Sequence, residues 1–464
     1  MGLGSWFLMI NASPWNLTRI VGSERENQMN TWIWPDVFLP GTRQRVYIES
    51  RAGDNGRFDG AEVNYRLGRG SRSNIQVAYH DHKDADPTIT IDWQSLSTLN
   101  NPVGSVTQLQ WHKDNNSPFF ISSRRTSTDQ QRDLVTSNNP PSDWMHSIYN
   151  QTSCLTLREI VIPGSHDAGM SEINGARLGT AVNTVTQKLN VGDQLKYGSR
   201  YFDIRPVISG GAWKTGHYSF VETFNLAWVG GNGQDIRSII DQINAFTAKN
   251  KELVILNINS GLDTDHFRGE RDSGFSQAKW EELLGGLINP TSGIKNRVTN
   301  IGNPRDVTTF RLDQLIKDRA AVIMIVDSDT RDQKPVDISR FANQGIFTAK
   351  QFPIYNKYAN DNSQKDMISD QLKKLQTQRI NNTSEMFVLS WTLTQKDIVS
   401  ESIVENGEAA NRALPELLWP ALSTKTYPNI LYIDAYPSNR DVAALAMAIN
   451  LWFTRTCPPE VVRT

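Results

Sequence analysis

After residue 144, short and almost continuously apolar runs alternate with longer segments whose apolar residues recur every three or four positions. The apolar runs are LREIVIP (157–163), RYFDIRPV (200–207), ELVILNI (252–258), AAVIMIV (320–326), EMFVLSW (385–391) and NILYIDA (429–435). The longer segments include residues 235–250, 275–287 and 367–378. Strands buried on both faces and separated by helices form parallel sheets. Residues 144–464 are therefore predicted to fold as a (β/α) TIM-like barrel, either regular or irregular.

The part of the chain before residue 126 has a different sequence pattern. Its β-branched and aromatic runs are short and are separated by Gly, Asn, Asp and Pro clusters; they are VYIE (46–49), EVNYRL (62–67), NIQVAYH (74–80), TITIDW (88–93), VTQLQW (106–111) and PFFISS (118–123). This pattern is typical of an antiparallel β-sandwich. We predict a sandwich-like domain over 1–125, a polar linker over 126–143 and the barrel over 144–464.

Composition excludes some classes of partner. The net charge is −1 and the isoelectric point about 6.7, so no basic surface for nucleic acid is indicated. No apolar run approaches the roughly 20 residues of a membrane span. The N-terminus lacks the basic region of a signal peptide, which leaves secreted and cytoplasmic locations both open. The two cysteines, Cys154 and Cys457, are either separate buried thiols or one bridge.

Titratable residues follow several barrel strands. His166 and Asp167 come after the first strand, Arg205 ends the second, His217 follows shortly, and Asp434 ends the last. Strand ends of a β/α barrel converge on one rim, where two imidazoles, two carboxylates and a guanidinium suit the cleavage of a phosphodiester. Each residue also has an ordinary structural explanation, such as a helix N-cap or a rim ion pair.

Two stretches around these residues are similar to a known family. IPGSHDAGM (162–170) and TQKLNVGDQLKYGSRYFDIR (186–205) resemble the X region of the phosphatidylinositol-specific phospholipase C superfamily. The resemblance covers about 153–455 and is strongest before residue 260. The pair Gly216-His217 departs slightly, because many relatives have the order His-Gly.

The resemblance implies a role for each residue. His166 would be the general base that deprotonates the inositol 2-hydroxyl, with Asp434 orienting it. His217, partnered by Asp167, would be the general acid for the leaving oxygen. Arg205 would stabilise charge on the phosphoryl oxygens. The first product would be a cyclic phosphodiester.

The resemblance also indicates the metal-independent, bacterial-type branch, which occurs in fungi too. Calcium-dependent members have His-Asn where this chain has His166-Asp167, and acidic residues where it has Arg205 and Asn259. A guanidinium in place of a carboxylate puts a cation where the metal would bind. We therefore expect no metal and no other cofactor.

The substrate would be a phospholipid or an inositol phosphate, and peripheral membrane contact stays open. Residues near the ends of later strands are candidates for binding the headgroup, namely Asp327, Lys350, Tyr355, Lys357 and Trp391. The alternative function is a catalytically silent barrel that binds lipid or glycan. The presence of every acid–base group favours the enzyme.

Overall fold

The computed structural model describes residues 4–51, 60–70, 73–82, 85–130, 132–220, 228–266, 270–302, 304–394 and 402–458. The chain divides into two compact units. The first comprises Met1–Thr152, Arg412–Thr424 and Asn439–Thr464, and the second comprises Ser153–Asn411 and Lys425–Ser438. Neither unit is one continuous stretch of sequence, whereas each predicted domain is. The boundaries at 125 and 143 stay a prediction.

The first unit is built mainly from strands. They are β1 (Gly4–Ala12), β2 (Leu17–Arg19), β3 (Arg25–Asn27), β4 (Met29–Trp32), β5 (Val37–Phe38), β6 (Arg43–Ser50), β7 (Gly60–Leu67), β8 (Asn74–His82), β9 (Ala85–Asp92), β10 (Val106–Leu109), β11 (Asn116–Ser123) and β12 (Val135–Ser137). One sheet has the order β12-β11-β1-β6-β4; the other has β10-β9-β8-β7-β2-β5, with β3 beside β7. Each apolar run predicted before residue 125 coincides with one of these strands, although the runs 88–93 and 106–111 extend past the ends of β9 and β10.

Both sheets of this unit contribute to one apolar core. Phe7 and Phe119 come from the first sheet, and Val63, Ile75 and Ile91 come from the second. Strand β1, which was not predicted, pairs with β11 in parallel from Trp6 to Ala12. The expectation of a purely antiparallel arrangement is therefore wrong at this pair. The predicted linker also contains β12, which extends the first sheet.

The second unit contains a parallel sheet, as the sequence predicts, and this sheet has eight strands. Its remaining strands belong to a second sheet, so the full set is β13 (Ile162–Ser165), β14 (Ala176–Arg177), β15 (Tyr201–Ile204), β16 (Pro206–Ser209), β17 (Ala212–Phe220), β18 (Trp228–Asp235), β19 (Leu253–Ile258), β20 (Leu262–Asp263), β21 (Ala321–Val326), β22 (Ile346–Thr348), β23 (Ile354–Tyr355), β24 (Met386–Trp391) and β25 (Ile430–Ile433). The parallel order is β22-β21-β19-β15-β13-β25-β24-β23. It curls as a half-barrel, and within the described residues β22 and β23 do not pair.

Each apolar run predicted after residue 144 supplies one strand of this parallel sheet. The first strand begins later than expected, because residues 157–159 form a 3-10 turn. The second sheet of the unit has the order β14-β18-β17-β16-β20. Strand β16 follows β15 after a single residue, Arg205, so this sheet starts at the rim of the parallel one.

The helices are mostly short. They are α1 (Trp144–Ser147), α2 (Tyr149–Thr152), α3 (Ala181–Thr184), α4 (Val191–Lys196), α5 (Ile236–Thr247), α6 (Glu270–Ser273), α7 (Gln277–Leu287), α8 (Leu312–Leu315), α9 (Gln364–Gln378), α10 (Ile403–Leu418) and α11 (Asp441–Phe453). The predicted amphipathic segments correspond to α5, α7 and α9. Among the described residues, none of the helices combines the length and the apolar composition that a membrane span requires.

Helix α11 corrects one expectation. The predicted bounds 144–464 place it in the barrel, but it belongs to the first unit and packs against β1, β11 and β12. Nearly every residue from Val442 to Phe453 is buried, and a helix that is apolar all round needs cover on all sides. Of the two alternatives for the cysteines, separate thiols are not what the structure has: Cys154 and Cys457 are each disulfide-bonded.

Candidate active site

A cavity of about 800 Å³ lies at the carboxyl ends of the parallel strands. Residues that line it follow or end β13, β15, β19, β21, β24 and β25; among them are His166, Arg205, Asn259, Asp327, Thr392 and Asp434. His217 lines the same cavity from β17. Convergence of strand ends from across the sheet is how a β/α barrel assembles polar groups at one place.

His166 is held by contacts on both ring nitrogens. Its Nδ1 lies 2.7 Å from a carboxylate oxygen of Asp434, and its Nε2 lies 2.8 Å from Nη2 of Arg205. A guanidinium only donates hydrogen bonds, so Nε2 accepts and Nδ1 carries the proton that is donated to Asp434. Burial lowers the pKa of His166, but the charge and hydrogen bond of Asp434 outweigh burial and raise it above its usual value. His166 is thus a strengthened base with its lone pair on Nε2.

Asp167 occupies the turn directly after His166. Its φ is 43°, a left-handed conformation that Asp tolerates better than most residues, and its N–H donates to Asp203 at 3.0 Å. The carboxylate is fully buried, 3.3 Å from Nη1 of Arg205 and 3.8 Å from Nδ1 of His217. Burial, reinforced by the charge of Asp203 and opposed by Arg205, raises the pKa of Asp167 to about 7. Asp167 can therefore hold or release a proton near neutrality.

Asp203 is the hub of the site, and it is the residue that the sequence analysis missed. Its Oδ2 accepts from Nε and Nη2 of Arg205, at 3.1 and 2.9 Å, and from the hydroxyl of Tyr432 at 2.7 Å. Its Oδ1 accepts from Asn259 at 2.6 Å. Burial alone would raise the pKa of Asp203, but the charges of Arg205 and His166 and these hydrogen bonds lower it to about 2. Asp203 is consequently ionised and fixes the orientation of Arg205.

His217 is positioned by the second sheet. It pairs with Gly231 across β17 and β18, and its Nδ1 lies 3.2 Å from the carbonyl oxygen of Thr184, to which it donates. That contact leaves Nε2 as the atom that gains or loses a proton. Burial first, and then the positive charges of Arg205 and His166, lower the pKa of His217 to about 4. His217 is neutral at pH 7 in the free protein.

Glycines bring this sheet close to the turn at His166. A Cβ on Gly169 would lie 2.3 Å from Oγ1 of Thr215 on β17. A Cβ on Gly233 would lie 2.2 Å from the carbonyl oxygen of Gly169. Only residues without a side chain allow this approach. The glycine of the HDAG stretch thus has a packing role that brings His217 near Asp167.

Two buried glutamines hold the same turn from behind. The side-chain amide of Gln187 donates to the carbonyls of His166, at 2.6 Å, and Ile433, at 3.1 Å. Gln194 donates to the carbonyl of Ala168 at 2.9 Å. The stretch TQKLNVGDQL therefore has a structural role: its glutamine side chains donate hydrogen bonds to backbone carbonyls, and Gln187 ties the end of β13 to β25.

The five residues predicted as catalytic lie together, whereas the predicted headgroup residues do not. Of those, Asp327 lines the cavity, and Lys350, Tyr355, Lys357 and Trp391 are not among its described lining residues. Trp391 is fully buried and donates its indole N–H to the carbonyl of Ala410 at 2.8 Å, so it is part of the core. Tyr355 stacks on Phe387, and both lysines are exposed.

The polar lining that the sequence analysis did not select includes Asn257, Ser260, Asn356, Tyr358, Ser390 and Thr392. Several of these interrupt or directly follow apolar strand runs, as in LNIN and LSWT. A polar residue at the carboxyl end of an apolar strand is the signal that could have found them. Asp203 carried the same signal within YFDIR.

No protein-family model matches the chain, and no curated protein matches it either. Among solved structures, it is similar to phosphatidylinositol-specific phospholipase C from Listeria monocytogenes, with 18% identity and a TM-score of 0.44 over 66% of this chain and 98% of that one. It is also similar to two variants of the phosphatidylinositol-specific phospholipase C from Staphylococcus aureus. One has 16% identity and a TM-score of 0.46 over 68% of this chain and 98% of that one. The other has 14% identity and a TM-score of 0.45 over 66% of this chain and 97% of that one. The chemistry proposed below therefore rests on the side-chain geometry of this site.

Proposed function

We propose that the chain is a phosphodiesterase that cleaves a phosphatidylinositol-type lipid by general acid–base catalysis through a cyclic phosphodiester. The observation that carries this proposal is the meeting of two histidines, each beside a carboxylate, around one guanidinium in one cavity. That set can remove a proton, donate a proton and neutralise a phosphoryl oxygen in a single displacement.

The base step begins with a competition for Arg205. In the free protein its Nη2 donates to Nε2 of His166. A phosphoryl oxygen of the substrate is a stronger partner for the guanidinium because it is charged. When Arg205 turns to the phosphate, the lone pair of His166 becomes free to take the proton of the inositol 2-hydroxyl. That oxygen then attacks the phosphorus.

The acid step draws on the pair of Asp167 and His217. With pKa values of about 7 and about 4, Asp167 is about half protonated at neutral pH and His217 is neutral. The negative charge of a bound phosphodiester favours the imidazolium form of His217 and offsets the repulsion from Arg205. His217 then protonates the leaving diacylglycerol oxygen, while Asp167 stabilises the imidazolium across 3.8 Å. Water then opens the cyclic product with the two roles exchanged: His217 is the base that takes a proton from water, and His166 is the acid that protonates the inositol oxygen.

No metal ion is required by this arrangement. Arg205 lies among Asp167 and Asp203 and supplies the positive charge that a divalent cation would otherwise bring to the phosphate. We propose metal-independent catalysis on that ground. The rest of the lining, which includes Asp327, Asn259, Ser390 and Thr392, offers hydroxyl, amide and carboxylate partners for the hydroxyl groups of the headgroup.

We also propose peripheral membrane contact at the mouth of the cavity. Leu178 and Val182 are 64% and 43% exposed, and Val182 precedes the lining residues Asn183 and Thr184. Tyr358 is 58% exposed and lines the cavity itself. Apolar side chains at the entrance would enter the lipid interface while the headgroup occupies the cavity.

Turnover of phosphatidylinositol vesicles with and without EGTA tests the proposal. We expect release of a water-soluble phosphoester at equal rates in both conditions. Activity that disappears with EGTA and returns with calcium would contradict the metal-independent mechanism. Saturable binding of the vesicles without turnover would instead support the silent lipid-binding alternative.

A further inference from the structure

We propose that the first unit carries a binding site for a neutral oligosaccharide, separate from the active site. A cavity of about 1330 Å³ lies within this unit, where the connections β1–β2, β7–β8, β9–β10 and β11–β12 meet. Its described lining includes Trp15, Asn16, Gly68, Ser97 and Gln130. Loops gathered at one end of packed sheets are a common place for ligand binding.

Trp15 is presented by a rigid support. Buried Asn11 donates to the carbonyl of Trp15 at 2.8 Å and to that of Phe38 at 3.1 Å. Buried Ser13 donates to the side chain of Asn11 at 2.6 Å. These hydrogen bonds hold the β1–β2 connection in one conformation without a ligand. The half-buried indole of Trp15 is therefore pre-organised. Pre-organisation removes part of the entropy cost of binding.

Gly68 opens space beside the indole. Its φ is 65°, and a Cβ there would lie 2.1 Å from Oε1 of Gln130 and 3.5 Å from Cδ1 of Trp15. The absence of a side chain lets the amide of Gln130 lie next to the aromatic ring. An aromatic face beside an amide can contact the C–H face of a sugar ring and hydrogen-bond its hydroxyl groups.

The charge of the cavity selects the class of ligand. Its described lining contains one cation, Arg69, and one anion, Asp129, whose carboxylate lies 3.2 Å from Arg132. The other polar lining groups are hydroxyls and amides, from Asn16, Thr18, Ser73, Ser95, Thr128 and Gln130 among others. Such a lining offers no excess charge for a phosphate or a sulfate and many partners for hydroxyl groups. A neutral oligosaccharide fits this chemistry.

Saturation-transfer NMR of the full chain with cellohexaose, chitohexaose, laminarihexaose and mannohexaose tests the inference. We expect at least one of these to bind. Trp15→Ala should weaken that binding about tenfold or more, as removal of a central aromatic contact does. Leu39→Ala, an exposed position outside the cavity, is the matched control and should bind as the wild type does. His166→Ala should also leave binding unchanged, which separates this site from the active site.

Two results would overturn the proposal: no binding of any of the four oligosaccharides, or binding whose affinity Trp15→Ala leaves unchanged. If Trp15→Ala fails to fold, Gln130→Ala takes its place because it trims a partly exposed amide and leaves the core intact. The loss of one hydrogen bond should then weaken binding by about fivefold. Unchanged affinity in that variant would equally overturn the proposal.

Discussion

At the scale of single residues, Asp203 shows how a buried carboxylate can fix the orientation of its neighbours. It accepts hydrogen bonds from Arg205, Tyr432 and Asn259 and from the backbone of Asp167. Its low pKa of about 2 means that it stays ionised and does not serve as a base at neutral pH. Its contribution is to orient Arg205 and the turn that carries Asp167.

The variant Asp203→Asn tests that role and has a definite pH dependence. The folded pKa of about 2 lies below the ordinary value of 3.8, so ionisation stabilises the fold by about 2 kcal/mol above pH 3.8. This stabilisation is lost as the pH falls through 3.8 towards 2. Urea unfolding should therefore show that the variant loses more unfolding free energy, relative to the wild type, at pH 7 than at pH 3.

The exposed Asp332→Asn is the control for that comparison, and it should unfold as the wild type does at both pH values. If Asp203→Asn loses the same unfolding free energy at pH 7 and at pH 3, the charge of Asp203 is not what stabilises the fold.

The sequence indicated the candidate catalytic residues but not the residues that hold them in place. His166, Asp167, Arg205, His217 and Asp434 were selected by their position after apolar strands and by the resemblance, and the structure brings them together. Asp203 was passed over because its neighbours in YFDIR made it look like part of a strand. Three of its five hydrogen-bond donor groups come from residues distant in sequence, namely Asp167, Asn259 and Tyr432, and no local pattern shows them.

At the scale of elements, the active site depends on the contact between the turn after β13 and the strands β17 and β18. Gly169 and Gly233 meet there, and Thr215 packs beside them. Six of the eight parallel strands were predictable because each lies within or beside a continuous apolar run. Strands β22 and β23 span only Ile346–Thr348 and Ile354–Tyr355, too short for a periodic pattern. The sheet of β17 was not predicted because AWKTGHYSF mixes polar and apolar residues without alternation.

Gly233→Ala tests this contact. The new methyl group would meet the backbone oxygen of Gly169 at 2.2 Å, so β18 and its partner β17 must shift. Because β17 carries His217, we expect at least a tenfold loss of turnover together with a lower melting temperature. Gly285→Ala is the matched control: it lies within α7 with nothing within 4 Å.

An alanine at position 285 should keep full activity and stabilise the helix by up to about 1 kcal/mol. Wild-type turnover in Gly233→Ala would show that the approach of the two segments does not position His217.

At the scale of the whole molecule, the first unit is assembled from segments far apart in sequence. Helix α11 completes it, with Asn138 donating to Asp441 at 2.8 Å and the backbone of Arg125 donating to Leu451 at 3.4 Å. The predicted bounds place this helix in the barrel, because its sequence does not show which sheet covers it. Local patterns report which face of an element is apolar, and the partner is decided by the complete fold.

A truncated chain of residues 144–464 tests this assembly. It keeps α11 but lacks β1, β11 and β12, so the buried residues of this helix would lose the strands that the helix packs against. We expect the fragment to aggregate or to bind a hydrophobic dye strongly, in contrast to the full chain. Size-exclusion chromatography and dye fluorescence measure this. A monomeric fragment with cooperative unfolding and full activity on a soluble substrate would contradict the discontinuous unit.

The central claim is that His166 and His217 move protons in a displacement at phosphorus, and a ³¹P NMR time course on phosphatidylinositol tests it most directly. The wild type should produce a cyclic phosphodiester first and a monoester later. His166→Ala and His217→Ala should each slow the first step by about 10²–10⁴-fold, while His266→Ala, whose imidazole is exposed, should match the wild type. A monoester that forms without a cyclic precursor, or activity within about threefold of wild type in either active-site variant, would contradict the account.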